Sequence, residues 1–213
     1  MSIRFDDQVA IVTGAGGGLG KEHALGLARR GAKVVVNDLG GGVDGSGASD
    51  AANAVVDQII SEGGEAIANG ASVTDLEAVQ AMVNEAKEKW GRIDILVNNA
   101  GILRDKSFHK DTIESFNAVM DVHFQGTLNC THTVYPIMRE QEFGRIIFTS
   151  SSSGVFGNFG QANYGSAKMA MVGLMNTLKL EGQKYNVFTN SITPVAYTRM
   201  TEGLIPEDFG KNM

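Results

Sequence analysis

Residues 9–20, VAIVTGAGGGLG, restrict the fold of this chain more than any other stretch. An apolar run without polar alternation belongs to a strand covered on both faces, and such strands sit in parallel sheets flanked by helices. The run stops at Gly14, and glycines recur as far as Gly20. Beyond them, GLGKEHALGLARRG takes up helical spacing, with Leu19, His23 and Leu27 on one line and Leu25 and Ala28 beside it, and it closes on Gly31 as a C-cap. Strand, glycine turn and helix in this order aim backbone N–H groups at a pyrophosphate. A side chain on the turn would obstruct both the tight bend and the approach of the phosphates. Gly14, Gly18, Leu19 and Gly20 are therefore candidate cofactor contacts.

The same alternation continues along the chain. KVVVNDL (33–39), EAIANGAS (65–72), IDILVNNAG (93–101), GRIIFTSS (144–151) and VFTNSITP (187–194) are predicted strands. Between them lie predicted helices over ASDAANAVVDQIISEGG (48–64) and DLEAVQAMVNEAKEKWG (75–91), a long one near 112–141, and one from about 161 to 183. No fixed-period repeat or low-complexity linker interrupts the pattern. Strict β-α alternation implies right-handed crossovers and a doubly wound parallel sheet, a Rossmann-type three-layer α/β/α fold. Residues 1–213 are expected to form one dinucleotide-binding domain.

The charge balance narrows the partners. Lys and Arg number 18 against 24 Asp and Glu, a net charge of −6, which argues against a general nucleic-acid or anionic-membrane surface. No apolar run reaches the roughly 18 residues that a bilayer-crossing helix needs. The N-terminus lacks the charged-then-apolar order of a signal peptide. Cys130, the one cysteine, can form no internal disulfide, and no Cys/His cluster has zinc-site spacing, so a reducing cytoplasm is expected and no metal.

Asp38 stands at the C-terminal tip of the second predicted strand. A carboxylate there can accept two hydrogen bonds from the adenosine ribose hydroxyls and would repel a 2′-phosphate. No Arg or Lys occurs within 14–20 or 39–42 to offset it, so the charge argument favours NAD over NADP. Further along, SSSSGVFGNFGQANYGSAK (150–168) reads at first as a flexible linker. Tyr164 and Lys168 are nevertheless one helical turn apart, and so project from one face of the helix predicted there.

The spaced glycines of 13–20, NNAG (98–101) and YGSAK (164–168), in this order, resemble the short-chain dehydrogenase/reductase family over the whole chain. The resemblance implies a nicotinamide cofactor and a Ser-Tyr-Lys site at the C-terminal edge of the sheet. Tyr164 would trade protons, its phenolate stabilised by the Lys168 ammonium and by the oxidised nicotinamide, and Asn99, Ala100 and Gly101 would line the cofactor site. Ser151, thirteen residues before Tyr164, has the family's spacing for the serine that hydrogen-bonds the substrate oxygen, with Ser150 and Ser152 as neighbouring candidates. Where the family has an asparagine holding a water of the proton relay, VHFQGT (122–127) places His123. Either a ring nitrogen of His123 serves the relay, or the histidine is buried and bonded to a backbone carbonyl. The acid that often closes the third strand against adenine is replaced by Ser72, followed by Val73, and the family's Pro-Gly turn reads Pro194-Val195. The backbone from Ala196 to Arg199 is expected to pass the nicotinamide carboxamide, with Thr198 as the hydroxyl.

VVVNDLGG, NNAGILRDKSF, VHFQGT and GNFGQANYGSAK narrow the resemblance to the (3R)-hydroxyacyl-CoA dehydrogenase units of multifunctional β-oxidation enzymes and their free-standing bacterial relatives. This implies NAD-dependent oxidation of a (3R)-3-hydroxyacyl-CoA. The alternatives are an NADPH-dependent 3-ketoacyl reductase and a cofactor-binding protein with little turnover. Family members continue past the sixth strand with a covering helix, a seventh strand and a last helix, so a C-terminally incomplete chain is expected. The helix carrying Ala162, Ala167, Met169, Ala170, Met171, Val172, Leu174, Met175 and Leu178 reads as apolar around almost its whole circumference. With the long helix before it, this helix is expected to build a homodimer or homotetramer, Met171 and Met175 lying in the interface.

Overall fold

The computed structural model describes residues 3–45 and 50–196. Six strands form one sheet: β1 (Val9–Thr13), β2 (Lys33–Asn37), β3 (Glu65–Asn69), β4 (Ile95–Asn98), β5 (Gly144–Thr149) and β6 (Val187–Ile192). Their order is β3-β2-β1-β4-β5-β6, and every pairing is parallel. The direction of winding reverses between β1 and β4, which opens a crevice beyond their C-terminal ends.

The apolar runs are explained by the two cores. Val9, Ile11, Val35, Leu96, Ile146 and Phe148 face helices α3 (Leu76–Trp90), α5 (Gly126–Glu140) and α7 (Ala162–Gly182). The intervening residues Ala10, Val12, Val34, Val36, Ile95 and Val97 face α1 (Gly18–Ala28) and α2 (Ala51–Ser61). A strand with a helix layer on each side has no solvent face, so alternation disappears from its sequence. Each fully buried Ile, Leu or Phe side chain contributes about 1.5–3 kcal/mol. Local signals fix the helix ends. The Asp75 carboxylate accepts from the Ala78 N–H at 3.1 Å to cap α3, and Gly91 ends it in the left-handed region, φ 79°.

Four expectations require correction. The long helix near 112–141 is three pieces: α4 (Ile113–Met120), a π-helical segment Asp121–Gln125, and α5. The third strand ends at Asn69, so Ser72 and Val73 lie in the turn beyond it. A short helix α6 (Ser152–Phe156) follows β5, where the serine run had read as the end of a strand. Met171, assigned above to an interface between subunits, is 1% exposed and belongs to the chain's own core, and Leu174, Met175 and Leu178 pack partly buried against the same core.

Candidate active site

The glycine turn is built by β1 and held by β4. Gly14 adopts φ +63°, and a Cβ there would stand 2.8 Å from Ala100 Cα. The Asn99 side chain is occupied in bracing this turn: its Nδ2 donates to the carbonyls of Thr13 and Gly14, both at 3.0 Å. Thr13 Oγ1 accepts from the amides of Asn99 and Ala100 at 3.0 and 3.1 Å. Thr13 and Asn99 thus lock the two central strands together at the crevice. Asn99 is expected above as a cofactor contact, whereas Thr13 carries no such signal in the sequence.

Helix α1 starts at Gly18 with no side-chain cap on its first amides. Gly14, Gly18 and Leu19 open onto a cavity of about 700 Å³ that also reaches Asp38, Ser72 and Val73. Ala100 and Gly101 form another part of its wall. Gly20 is buried beneath the turn. The volume falls in the usual range of small-molecule and cofactor sites. An uncapped helix start, a turn too close-packed for side chains and a carboxylate at the tip of β2 together suit a dinucleotide. The Asp38 carboxylate accepts from the amides of Gly16 and Gly40, both at 2.7 Å, which fixes its orientation and leaves further lone pairs for a ligand. Ser72 Oγ lies 2.8 Å from Thr74 Oγ1, and the Val73 carbonyl accepts from Asn129 Nδ2 at 2.9 Å.

Gly41, Gly42, Val43 and Gly45, beyond β2, form part of the cavity wall. The Leu103 N–H donates to the Val43 carbonyl at 2.9 Å, and the Arg104 guanidinium lies 3.4 Å from the Asp44 carbonyl. Arg104 therefore brings a cation to the cavity lining from far along the chain, outside the 14–20 and 39–42 stretches beside Asp38.

The residues of the Ser-Tyr-Lys pattern adjoin this cavity through His123, which packs against the lining Gly101 and against Tyr164. Ser151 caps α6, its hydroxyl accepting from the Ser153 N–H at 3.2 Å. Ser150 is turned inward and donates to the Lys168 carbonyl at 2.9 Å. Of the consecutive serines, Ser151 is the one whose hydroxyl acts on the Tyr164 phenol, favouring its charged form. The Lys168 ammonium donates to the Thr149 carbonyl at 2.5 Å and sits 5.3 Å from the Tyr164 ring centroid.

The electrostatics depart from the expectation of a phenol acidified by lysine. Burial raises the Tyr164 phenol above its ordinary value; the Ser151 hydrogen bond opposes this, and the charge of Asp105 adds to it. Burial also lowers Lys168 to about 7. A desolvated pocket penalises both charged forms, so the pair without cofactor rests near neutrality.

His123 is buried within the π-helical segment. Its Nε2 lies 2.8 Å from the Ile102 carbonyl oxygen and 3.1 Å from the Ile102 amide nitrogen. Protonated, Nε2 donates to the carbonyl; unprotonated, it accepts from the amide. Burial, and then the charge of Lys168, lower the imidazole well below its ordinary value, so it is neutral. The ring stands edge-on to Tyr164, centroids 5.1 Å apart, and a Cβ on Gly101 would overlap it. Its Nδ1 is buried and has no hydrogen-bond partner among the described residues. Ala196 follows β6 at the same edge of the sheet, and Thr198 lies outside the described residues.

Two residues that sequence reasoning missed, Asn163 and Gln161, tie the start of α7 to the segment after β4. Asn163, fully buried, accepts from the Tyr164 N–H at 2.6 Å. It donates to the Arg104 carbonyl and to Asp111 Oδ2, both at 3.0 Å. Gln161 donates to Asp105 Oδ2 at 2.7 Å. Only their position beside the tyrosine could have singled them out.

A family model described as short chain dehydrogenase matches residues 8–208. The peroxisomal multifunctional enzyme type 2 of Drosophila melanogaster is 54% identical over 96% of this chain, which spans 34% of that enzyme's length. A putative short-chain type dehydrogenase/reductase of Mycobacterium tuberculosis is 50% identical over 95% of this chain and 71% of its own. A 7α-hydroxysteroid dehydrogenase, solved with NADH and 7-oxo glycochenodeoxycholic acid, superposes with a TM-score of 0.87 at 32% identity over 98% of this chain and 79% of its own.

Proposed function

The chain belongs to the short chain dehydrogenase family, and from that premise we propose that it oxidises a (3R)-3-hydroxyacyl-CoA to the 3-ketoacyl-CoA with NAD. The observation that carries the proposal is the meeting of Ser151, Tyr164 and Lys168 beside a cavity walled by the glycine turn and Asp38. The turn and the start of α1 would hold the pyrophosphate, Asp38 the adenosine ribose, and Gly101 a stretch of wall next to His123. When bound, the oxidised nicotinamide supplies a hydride acceptor and a positive charge.

Ser151 hydrogen-bonds the substrate hydroxyl and turns its C–H bond toward the cavity. Tyr164, as phenolate, takes the hydroxyl proton while the hydride leaves carbon, so that the alcohol loses one proton and one hydride. Lys168 stabilises that phenolate in its charged form. His123 keeps the loop after β4 seated against Tyr164, and relay through its free Nδ1 is the role we propose for it.

Asp38 supports NAD as the cofactor. Arg104 is the feature that would favour NADP and the reductase reading, and Asp38 opposes it by charge. We further propose a homodimer or homotetramer in a reducing compartment, the cytoplasm, because Cys130 is a free buried thiol; the peroxisomal name of the Drosophila relative sets the competing address.

The experiment mixes the protein with a series of 3-hydroxyacyl-CoAs and either NAD or NADP and follows reduced nicotinamide by absorbance. Turnover of the (3R) isomer with NAD is expected. Binding of NAD without turnover of any hydroxyacyl-CoA would leave a cofactor-binding protein and overturn the proposal.

A further inference from the structure

The segment after β4 contains Arg104, Asp105, Lys106, Ser107, Phe108, His109, Lys110 and Asp111. Asp105 accepts from Gln161, and Asp111 from Asn163, so both acids turn toward the start of α7. Lys106, His109 and Lys110 are exposed. Among the described residues, none of these three pairs with a carboxylate. In a chain of net charge −6, Lys106 and Lys110 place two unpaired positive charges side by side, with the His109 imidazole between them in sequence.

A second surface runs beside it. The Lys106 N–H donates to the Gly160 carbonyl at 2.8 Å, and Lys106 forms a parallel bridge with Gln161. This joins the segment to the loop between α6 and α7. That loop and the end of α6 carry Phe156 and Phe159, 85% and 90% exposed, and Phe108 across the bridge is 75% exposed. Both surfaces are tied to the site: α6 begins at Ser151, Asn163 holds the Tyr164 amide, and Asp105 acts electrostatically on the Tyr164 phenol. Large exposed aromatics beside unpaired cations suit a ligand with an apolar arm and an anionic end.

We propose that this rim is the docking surface for coenzyme A as the carrier of the substrate, Lys106, His109 and Lys110 receiving its phosphates and Phe108, Phe156 and Phe159 its apolar arm. The inference rests on the acyl-CoA reading above and assigns it a place on the molecule. Charge complementarity favours coenzyme A as the occupant, since its clustered phosphates match the adjacent Lys106 and Lys110 and its arm the neighbouring phenylalanines.

The test compares two substrates that share the reacting group: a 3-hydroxyacyl-CoA and the same acyl group as its N-acetylcysteamine thioester, which has no phosphate. With NAD saturating, a Lys106→Ala/Lys110→Ala double variant is expected to lose at least tenfold more kcat/KM on the first than on the second, through KM. Added salt should erase the wild-type preference for the CoA thioester, because the contacts are exposed. Equal losses on both thioesters, or none, would overturn the docking surface while leaving the dehydrogenase reading intact. If the wild type turns over neither thioester, the dehydrogenase reading fails, and calorimetric titration of coenzyme A with NAD saturating decides the surface alone. A Kd at least tenfold weaker in the double variant supports it; an unchanged Kd or no binding refutes it. A Phe156→Ser/Phe159→Ser variant that changes oligomeric state by light scattering without weakening coenzyme A would make the rim an interface between copies, also against the proposal.

Discussion

Tyr164 and Lys168 are both held toward their neutral forms by burial, and this separates two tests. Tyr164→Phe removes the proton acceptor and leaves the cavity wall unchanged. Turnover should fall by about 10²–10⁴-fold, with NAD affinity, measured by titration, within a few-fold of wild type. Lys168 carries a folded-state pKa of about 7 against an ordinary 10.5. Below about 7 both states are protonated and the fold bears the full cost of the buried ammonium. Between about 7 and 10.5 the unfolded chain binds the extra proton, so this contribution to stability rises with pH. Lys168→Met should therefore raise the melting temperature of the cofactor-free protein most below about pH 7, the gain fading toward pH 10. A gain independent of pH would show that Lys168 is not the titrating group. Asp38→Ala should raise tolerance of NADP, read as the ratio of kcat/KM for the two cofactors; an unaltered ratio would remove Asp38 from cofactor selection.

The strands were legible as elements because burial on both faces leaves an unbroken apolar signature, and the helices because their apolar residues recur at helical spacing. What escaped was irregular structure imposed by packing. The π-helical segment closes with the Gly126 N–H donating to the Asp121 carbonyl, and the helical pattern around it carries no mark of the added residue. That segment seats His123 against Gly101 and Ile102, contacts made by elements distant in sequence. Helix α6 escaped because serines and glycines favour turns locally, and only the Ser151 cap starts the helix. The catalytic pattern was legible from spacing alone, but its anchor Asn163 was not, since its partners Arg104 and Asp111 lie far upstream. Asn163→Ala should cost about 1–3 kcal/mol per buried group left unpaired, seen as a lower melting temperature with reduced kcat. Asn163→Asp should be worse, because it sets a second carboxylate against Asp111. If Asp proves milder than Ala in thermal unfolding, the hydrogen-bond assignment fails.

At the scale of the whole molecule, the position of Met171 moves the expected subunit interface to another face of α7. Met171 contacts α5 within the chain, where Thr127 Oγ1 lies 3.3 Å from its sulfur. The opposite side of the helix exposes Met169 at 47% and Leu180 at 73%. Gly173 lies between them, and a Cβ built there meets nothing within 4 Å. Asn176 and Thr177 complete the stripe. Residues 169, 173, 176 and 180 recur at helical spacing and so share one face. A small residue between two apolar ones lets a second helix approach closely, and the flexible thioether of Met169 can adapt to it. A dimer formed through this stripe should dissociate when Met169→Glu or Leu180→Glu places a charge in the contact, with the melting temperature of the monomer little changed. Met171→Glu should instead destabilise the fold by several kcal/mol, because it leaves an unpaired charge in the core. Light scattering and thermal unfolding on the three variants distinguish the two effects. Dissociation by Met171→Glu of a still-folded protein would return the interface to the buried side of α7. A wild-type protein that is monomeric at micromolar concentration would remove the stripe's role altogether.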